Sequence, residues 1–548
     1  MTDEETEKFL NPDYEKHLHD PFLILGMEKA VERILLAIKN NERVVVFGDY
    51  DADGVSASAI FYHFFKKIGF ENFHFHIPDR NLEGYGLTLE SIDEFAGQNA
   101  KLIITVDCGI TDVKEVDKAN AAGIDVIITD HHLPLSSSAS KQEKLPNAFA
   151  IINSKQENDN YPFKFLSGAG VAFKVVQALA RKGSAQGGQG FKIVPGWEKW
   201  LLDLVGIATI ADMVPLVDEN RVLAYYGLQV LKKTRRVGLI SFFRRLDMNP
   251  QNVNEDDISF MIAPRINISS RMDHANASFD LLTTESQEEA DWITGNMEVF
   301  NSERKKIVEK ILGEVEGRVG KEPPSVIVQG DLSWNPGVIG LVAGKLKDIY
   351  GRSVFIWSKG EGNKIKGSCR GDGSFNLVEL MKLAPEDVLV EAGGHAMAGG
   401  FSVNEEKIAD LEKEILAAYE KVEKKEIQEA LLIDKELDID EINWDLWDKI
   451  EKLAPFGAEN PKPVFVFSNL EIANVRKFGN GGLHLQLDFK KSSANGGGSI
   501  VPAIGFFASD ENLNLLAGQK IDLVATMEKS FFRATPELRL RIVDIRIK

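Results

Sequence analysis

The stretch Val44-Val45-Val46-Phe47-Gly48-Asp49-Tyr50-Asp51-Ala52-Asp53-Gly54 constrains this chain more than any other. Four apolar residues, three of them valine, read as a buried strand, because β-branched side chains suit a covered, pleated surface. Three carboxylates then stand at every second position, a glycine ends them, and Val55-Ser56-Ala57-Ser58-Ala59-Ile60 resumes as a helix. A strand that breaks into Asp-x-Asp-x-Asp-Gly before a helix puts several negative charges at the carboxyl end of a sheet. Open α/β sheets place their ligands there. Like charges this close repel unless a cation sits among them. Two readings follow: a polar loop with an Asp cap, or a divalent-metal site.

The rest of the chain decides between them. At 548 residues it is too long for one hydrophobic core, so several domains are expected. A formal net charge of −19 argues against a protein that coats nucleic acid non-specifically. Any strand it handles would lie in a local groove, with metal ions supplying part of the positive charge. The basic clusters Lys232-Lys233-Thr234-Arg235-Arg236, Arg244-Arg245 and Arg304-Lys305-Lys306 read as solvated helix faces. Cys108 and Cys369 are the only cysteines, which excludes a disulfide framework or a cysteine-rich zinc site and points to a reducing cytoplasm. No apolar run approaches the ~18 residues of a membrane span, so no membrane partner is expected.

Residues 1–40 read as a helical N-terminal extension, with Ile24, Met27, Val31, Leu35 and Ile38 at helical spacing. Over 41–284, near-continuous apolar strands begin at residues 44, 73, 102 and 124 and alternate with helices. That is the pattern of a parallel sheet covered on both faces. Three of these strands run into candidate ligands: Asp49/Asp51/Asp53, then Asp107-Cys108-Gly109, then Asp130-His131-His132. An Asp before a glycine is usually a turn, and a His pair is usually structural. At the same ends of neighbouring strands they favour the metal site together.

These segments resemble the first three motifs of the DHH phosphoesterase superfamily. Gly206-Ile207-Ala208-Thr209-Ile210-Ala211-Asp212-Met213-Val214-Pro215-Leu216 fits the fourth, an acidic residue in apolar surroundings where a charge needs a partner. Further segments resemble the branch of that superfamily that degrades single strands. They are Ile77-Pro78-Asp79-Arg80-Asn81-Leu82-Glu83-Gly84-Tyr85-Gly86-Leu87, Ala263-Pro264-Arg265-Ile266-Asn267 with Ser270-Arg271-Met272, Gly337-Val338-Ile339-Gly340, Gly367-Ser368-Cys369-Arg370-Gly371 and Gly393-Gly394-His395 with Gly399-Gly400. On the residues and the resemblance together, Asp51, Asp53, Asp107, His131, His132 and Asp212 are the expected catalytic residues. Asp49, Asp51, Asp53, Asp107, His131 and Asp212 are the expected metal ligands, Asp107 being implied as a bridge. Arg80, Tyr85, Arg265, Asn267, Arg271, Ser368, Arg370, Gly393, Gly394 and His395 are the expected substrate contacts. One departure stands out: Trp334-Asn335-Pro336 occupies a place where a Trp-His pair is common, which puts any histidine role there in question.

Carboxylates with one or two imidazoles favour a borderline metal such as Mn²⁺ over Mg²⁺, which prefers oxygen alone. Five or more such ligands exceed the needs of one ion with an open position, so two ions about 3.5–4 Å apart are expected. Mn²⁺ is the first choice and Mg²⁺ the alternative. Such a pair supplies an activated water and offsets charge growing on phosphate oxygens, which suits phosphodiester hydrolysis. His132 either ligates or donates to the leaving oxygen.

Residues 285–320 read as a long connecting helix that sets a gap fit for a single strand but not a duplex. Residues 321–427 read as a second, smaller α/β domain. There the hydroxyl of Ser368, the guanidinium of Arg370 and paired glycines offer grips for phosphate. The resemblance makes this the DHH-associated domain. Residues 428–548 hold five short strands, the pattern of a small β-barrel, with an OB-fold expected. Arg476, Lys477, Phe478, Phe531, Phe532 and Arg533 are its candidate contacts to stacked bases. The segment from Leu453 to Pro461 reads as a packed turn rather than a site.

The expectation is a metal-dependent exonuclease on single-stranded DNA, serving recombination and repair, with 5′-to-3′ polarity implied by the resemblance alone. A phosphatase on short oligonucleotides or pyrophosphate and a non-catalytic replication scaffold are the alternatives. A single-strand-binding protein and a helicase are candidate partners, and a monomer is the expected state.

Overall fold

The computed structural model describes residues 2–79, 83–136, 143–185, 191, 193–270, 276–320, 322–360, 364–425, 431–479, 482–492, 499–506, 508, 510–531 and 535–548. The strand Val44–Gly48 is buried at every position and lies between Phe73–His76 and Leu102–Val106. Asp125–Thr129 and Ala150–Ile152 complete a five-stranded sheet in which every pairing is parallel. The chain leaves Val44–Gly48 to one side, for Phe73–His76, and returns on the other, at Leu102–Val106. That reversal opens a crevice at the carboxyl ends of Val44–Gly48 and Leu102–Val106.

Register decides what enters the crevice. Gly48, Val106 and Thr129 stand opposite one another. The amides of Asp49, Asp107 and Asp130 carry the ladder one step further, to the carbonyls of Val106 (3.3 Å), Thr129 (2.9 Å) and Ile152 (3.1 Å). The three aspartates therefore leave the sheet side by side.

One face of this sheet is covered by Met27–Lys39, Ala52–Ile68, Gly168–Ala185 and Leu202–Ala211, the other by Leu89–Gly97 and Val113–Ala121. Met27, Ala30, Val31 and Ile34 are fully buried in that first core, so the N-terminal helix is physically part of the first domain rather than an appendage. The fifth strand was not expected from the sequence. Its three residues are too short to show a period, although Ala150-Ile151-Ile152 is apolar.

The helix Gln287–Val319 runs 33 residues. At 1.5 Å per residue that is about 50 Å. Ala290, Ile293 and Met297 lie in the first core, whereas Val308, Ile311 and Val315 lie in that of the second domain. Trp334 Nε1 donates to Glu314 Oε2 at 2.8 Å, pinning the helix to the second domain. That domain holds a mixed five-stranded sheet in the order Leu389–His395, Ala398–Asn404, Lys364–Arg370, Ser353–Lys359, Val326–Asp331. The C-terminal region forms one seven-stranded sheet around its own core, two strands more than the sequence suggested. The additions are Lys435–Glu436, of two residues, and Asn474–Phe478, an edge strand whose charged residues hide its alternation. Among the described residues no helix is long and apolar enough to cross a membrane.

Candidate metal centre

Asp51 caps the helix Ala52–Ile68: its Oδ1 accepts the amides of Asp53 (2.8 Å) and Gly54 (3.1 Å). The cap leaves room for the metal reading of this motif, because a capping carboxylate keeps its second oxygen. Gly54 permits close approach, since a Cβ there would fall 2.5 Å from the Asp49 carbonyl oxygen. Asp53 points back across the crevice to the first turn of Gly168–Ala185. Its two oxygens accept the amides of Gly168 (2.6 Å) and Ala169 (2.7 Å), a helix terminus that favours negative charge. Gly168 also makes room for Asp107, whose Oδ1 would lie 2.4 Å from a Cβ at that position.

Asp107 takes φ 62°, a left-handed conformation that an L residue rarely adopts and that marks a functional turn. Tyr85 Oη donates to the Asp107 carbonyl at 3.1 Å and lies 3.0 Å from His132 Nδ1. Asp130 is wholly buried and fully committed. Its Oδ1 accepts the amides of His131 (2.7 Å) and His132 (3.0 Å) and lies 2.8 Å from His132 Nδ1, while Oδ2 accepts the Ile110 amide at 3.0 Å. It holds the His131 backbone and orients the His132 imidazole rather than reaching a cation itself.

His131 Nε2 sits at the middle of the cluster, 3.1 Å from Asp107 Oδ1, 3.7 Å from Asp212 Oδ2 and 3.8 Å from Asp53 Oδ2. The ligand atoms of Asp49, Asp51 and Asp107 all lie within 4.8 Å of one another, as do those of Asp53, His131 and Asp212. The six expected ligands thus fall into two triads that share no member and meet at the Asp107–His131 contact. His132 offers a third grouping, with Asp107 and His131.

Burial, with repulsion between neighbouring carboxylates, pushes Asp53 up to about 7 and Asp212 up to about 8, and raises Asp107 well above the usual range. Burial, then the adjacent His132, pulls His131 down to about 3, so its imidazole is neutral. Burial also pulls on His132, but the hydrogen bond and charge of Asp130 outweigh it and hold that imidazole up at about 9. Asp107 Oδ1, though buried, accepts no hydrogen bond among the described residues. Crowded carboxylates that resist ionising alone, an unsatisfied oxygen and a neutral imidazole form a donor set that divalent cations fit.

Of the expected substrate contacts, Tyr85 joins the cluster. Arg265 and Asn267 both have partners within the protein. Arg265 is buried against Glu298 and donates to the Met261 carbonyl at 3.0 Å, and Asn267 Oδ1 accepts the Ala52 amide at 2.7 Å, bracing the acidic motif. Arg80 and Arg271, like Phe532 and Arg533 in the C-terminal region, lie outside the described residues. In the second domain, Ser368 and Arg370 share the strand Lys364–Arg370, where Arg370 Nη1 donates to Ser368 Oγ at 3.2 Å. Gly393 and Gly394 pair with Gly400 and Gly399, and His395 beside them is exposed. Asn335, in place of the common histidine, accepts the Gly337 amide at 2.7 Å and shapes the turn into the helix Ile339–Tyr350.

Sequence reasoning missed three supports. The Gly168 and Ala169 amides were signalled by the run Ser167-Gly168-Ala169-Gly170, a helix start built of small residues. Asn153 leaves the unforeseen fifth strand and donates to the His132 carbonyl at 2.9 Å. Lys155, two residues on, has its amine pulled down by burial while the charges of Asp212 and Asp130 act the other way. Elsewhere, a cavity of about 730 Å³ opens between Phe73–His76 and the long helix, lined by His76, Asp79, Glu83 and Trp292 among others, none of them a ligand of the cluster.

A parallel sheet that ends in this acid–imidazole cluster, joined by a long helix to a glycine-bearing mixed sheet, defines a DHH-type protein. Family models agree: the DHH family N-terminal domain matches residues 43–209, the DHHA1 domain 324–421 and the RecJ OB domain 433–544. A single-stranded-DNA-specific exonuclease RecJ from Bacillus subtilis is 34% identical over 96% of this chain, which spans 64% of that relative's length. The crystal structure of RecJ with Mn²⁺ from Thermus thermophilus superposes with a TM-score of 0.80 at 26% identity, covering 99% of this chain and 74% of that one. An exonuclease RecJ bound to manganese is 30% identical, with a TM-score of 0.61, over 72% of this chain and 95% of the other. The chain belongs to the RecJ family.

Proposed function

We propose that this protein is a metal-dependent exonuclease that hydrolyses phosphodiester bonds of single-stranded DNA from the 5′ end, in recombination and repair. The observation that carries this reading is the pair of ligand triads meeting at Asp107 and His131, on a chain that also carries a RecJ OB domain. The polarity and the cellular role follow the family. Residues 41–284, with the helix Met27–Lys39 in the same core, form the catalytic unit, 321–427 the substrate-binding unit and 428–548 the strand-binding unit.

Asp49, Asp51 and Asp107 would hold one divalent ion and Asp53, His131 and Asp212 a second, Mn²⁺ before Mg²⁺. Such ions lower the pKa of a water and neutralise charge on phosphate oxygens. The chain's own residues do the rest. Asp130 fixes the His132 ring through Nδ1, leaving Nε2 of this half-exposed side chain to meet the scissile phosphate or the leaving oxygen. Tyr85 holds the Asp107 turn in its left-handed conformation. Ser368, Arg370 and the open backbone around Gly393, Gly394 and His395 grip the strand's phosphates, Arg370 with a fork matched to phosphate. The OB domain stacks on bases further along. A single-strand-binding protein and a helicase are its natural companions, and a monomer suffices for the chemistry. Both cysteines are buried free thiols, which supports a cytoplasmic setting.

The test uses Mn²⁺ and single strands labelled at one end and blocked at the other. Mononucleotides released from the 5′ end are expected. Cleavage confined to short oligonucleotides or pyrophosphate would make the protein a phosphatase, and no cleavage with any divalent metal would leave a scaffold.

A further inference from the structure

The turn at residues 453–460, which the sequence presents as mere packing, is tied to the helix Asp218–Leu231 through Arg221. This guanidinium is 2% exposed. It donates to the carbonyls of Phe9 (2.7 Å), Leu453 (2.8 Å), Ala454 (3.0 Å) and Lys452 (3.2 Å). The last three follow the helix Trp444–Glu451, so one side chain caps that helix and ties it to Asp218–Leu231, where Arg221 resides. The turn braces itself as well, since Asn460 Nδ2 donates to the carbonyls of Leu453 (3.0 Å) and Pro455 (2.8 Å).

The same turn meets the catalytic side again at Leu216, whose amide donates to the Ala458 carbonyl at 2.8 Å. A Cβ on Gly457 would lie 2.7 Å from Leu216 Cδ1, so this contact has no spare room. Leu216 stands four residues after Asp212. Met213, between them, takes φ 55°, which leaves the intervening backbone little freedom. Asn220, next to Arg221, donates to the carbonyls of Phe165 (2.6 Å) and Pro215 (3.0 Å). Phe165 leads directly into the Gly168 and Ala169 amides that hold Asp53.

We propose that Arg221 and the 453–460 turn are positioning elements for the Asp53–His131–Asp212 triad. The segment leading into the C-terminal domain helps build the metal centre and is more than a tether for strand binding. The inference rests on the metal reading of that triad. A support removed from a ligand acts on the ligand's placement, and such outer partners carry about 10–100-fold in metal affinity.

The experiment uses the full chain with Arg221→Lys, which keeps the charge and loses the fork, and Gly457→Val, which presses on Leu216 without touching a charge. Gly457→Ala, with a smaller methyl, serves if valine unfolds the protein, and thermal melting shows which variants are folded. Mn²⁺ binding is titrated calorimetrically without DNA, and single-strand affinity is read by fluorescence anisotropy in EDTA. Expected are an unchanged number of ions, one of them bound about tenfold more weakly, and unchanged strand affinity. Native Mn²⁺ binding in the folded variants, or a loss confined to strand affinity, would overturn the proposal. A native protein that binds no Mn²⁺ would overturn the metal reading and this inference with it.

Discussion

At the carboxyl end of the first sheet, three of the acidic groups are held by backbone donors, whereas the glycine strands of the second sheet leave their backbone open to solvent. Asp51, Asp53 and Asp130 each accept two or more hydrogen bonds from nearby amides. Gly393, Gly394 and His395 are exposed. The difference fits the two tasks proposed for these sheets. Crowded carboxylates stay near one another only if the fold fixes them in advance, and a fixed constellation is what developing charge requires. A surface that grips successive phosphates needs close backbone approach but no buried charge, and glycine supplies that. Substitutions at the first sheet should therefore act on turnover, and those at the second on affinity.

The largest effect is expected at the meeting point of the two triads. Asp107→Asn or His131→Ala should cost several kcal/mol of transition-state stabilisation, about a thousandfold or more in kcat. Single-turnover cleavage at saturating strand should show it, with strand affinity in EDTA unchanged. Turnover within tenfold of native in either variant would break the assignment of the first sheet as the catalytic one.

Next comes Asp130→Asn, which keeps the shape but sets an amide NH₂ against either the Ile110 amide or the His132 ring. A loss of about 10–100-fold in kcat is expected, the scale found when a group that orients a functional imidazole is removed. The same variant should weaken Mn²⁺ binding. If activity falls while Mn²⁺ affinity holds, the damage lies with His132 alone, and the comparison sharpens to a single imidazole. Arg370→Ala tests the other sheet. Removing a charge-assisted grip on phosphate should raise KM roughly tenfold, about 1.5 kcal/mol, with kcat nearly unchanged. A fall in kcat of equal size would erase the division of labour between the sheets.

How much of this could be read from the chain differs by the same division. Strands ending in acids were legible because a run such as Val44-Val45-Val46-Phe47 and a sudden charge are both local signals. Five of the six expected ligands came from such signals, and Asp212, at the end of the helix Leu202–Ala211, came from the resemblance. The brackets that hold them were not legible, because they join residues distant in sequence. Gly168 and Ala169 reach Asp53 across more than a hundred residues, and Asn267 reaches Ala52 across more than two hundred. Arg265 was singled out by the resemblance alone, and its partner Glu298, on the long helix, could not be read from the sequence. The buried pair of Lys174 with Glu219, which also accepts the His19 amide at 2.7 Å, is of the same kind: two charges that look solvated in one dimension pin the N-terminal segment in three.

The smallest effect is expected in the C-terminal domain, where exposure alone would suggest an open surface like that of the second sheet. Phe478, His484 and Phe506 form a cluster with ring centres 5.1–6.0 Å apart, and the Arg541 guanidinium lies 3.9 Å from the centre of the Phe506 ring. Stacked bases are worth about 1–3 kcal/mol each, and Phe478→Ala should fall at the low end because Phe506 and His484 remain beside the gap. Strands long enough to span from the crevice to this domain should bind a few-fold more weakly, while short strands bind and react as in the native protein. Anisotropy with a series of strand lengths reads the difference. If short and long strands lose affinity alike, the cluster is part of the domain's packing. If only long strands do, the aromatic patch is a second grip, set apart from both sheets and contributing only once the strand is long enough to reach it.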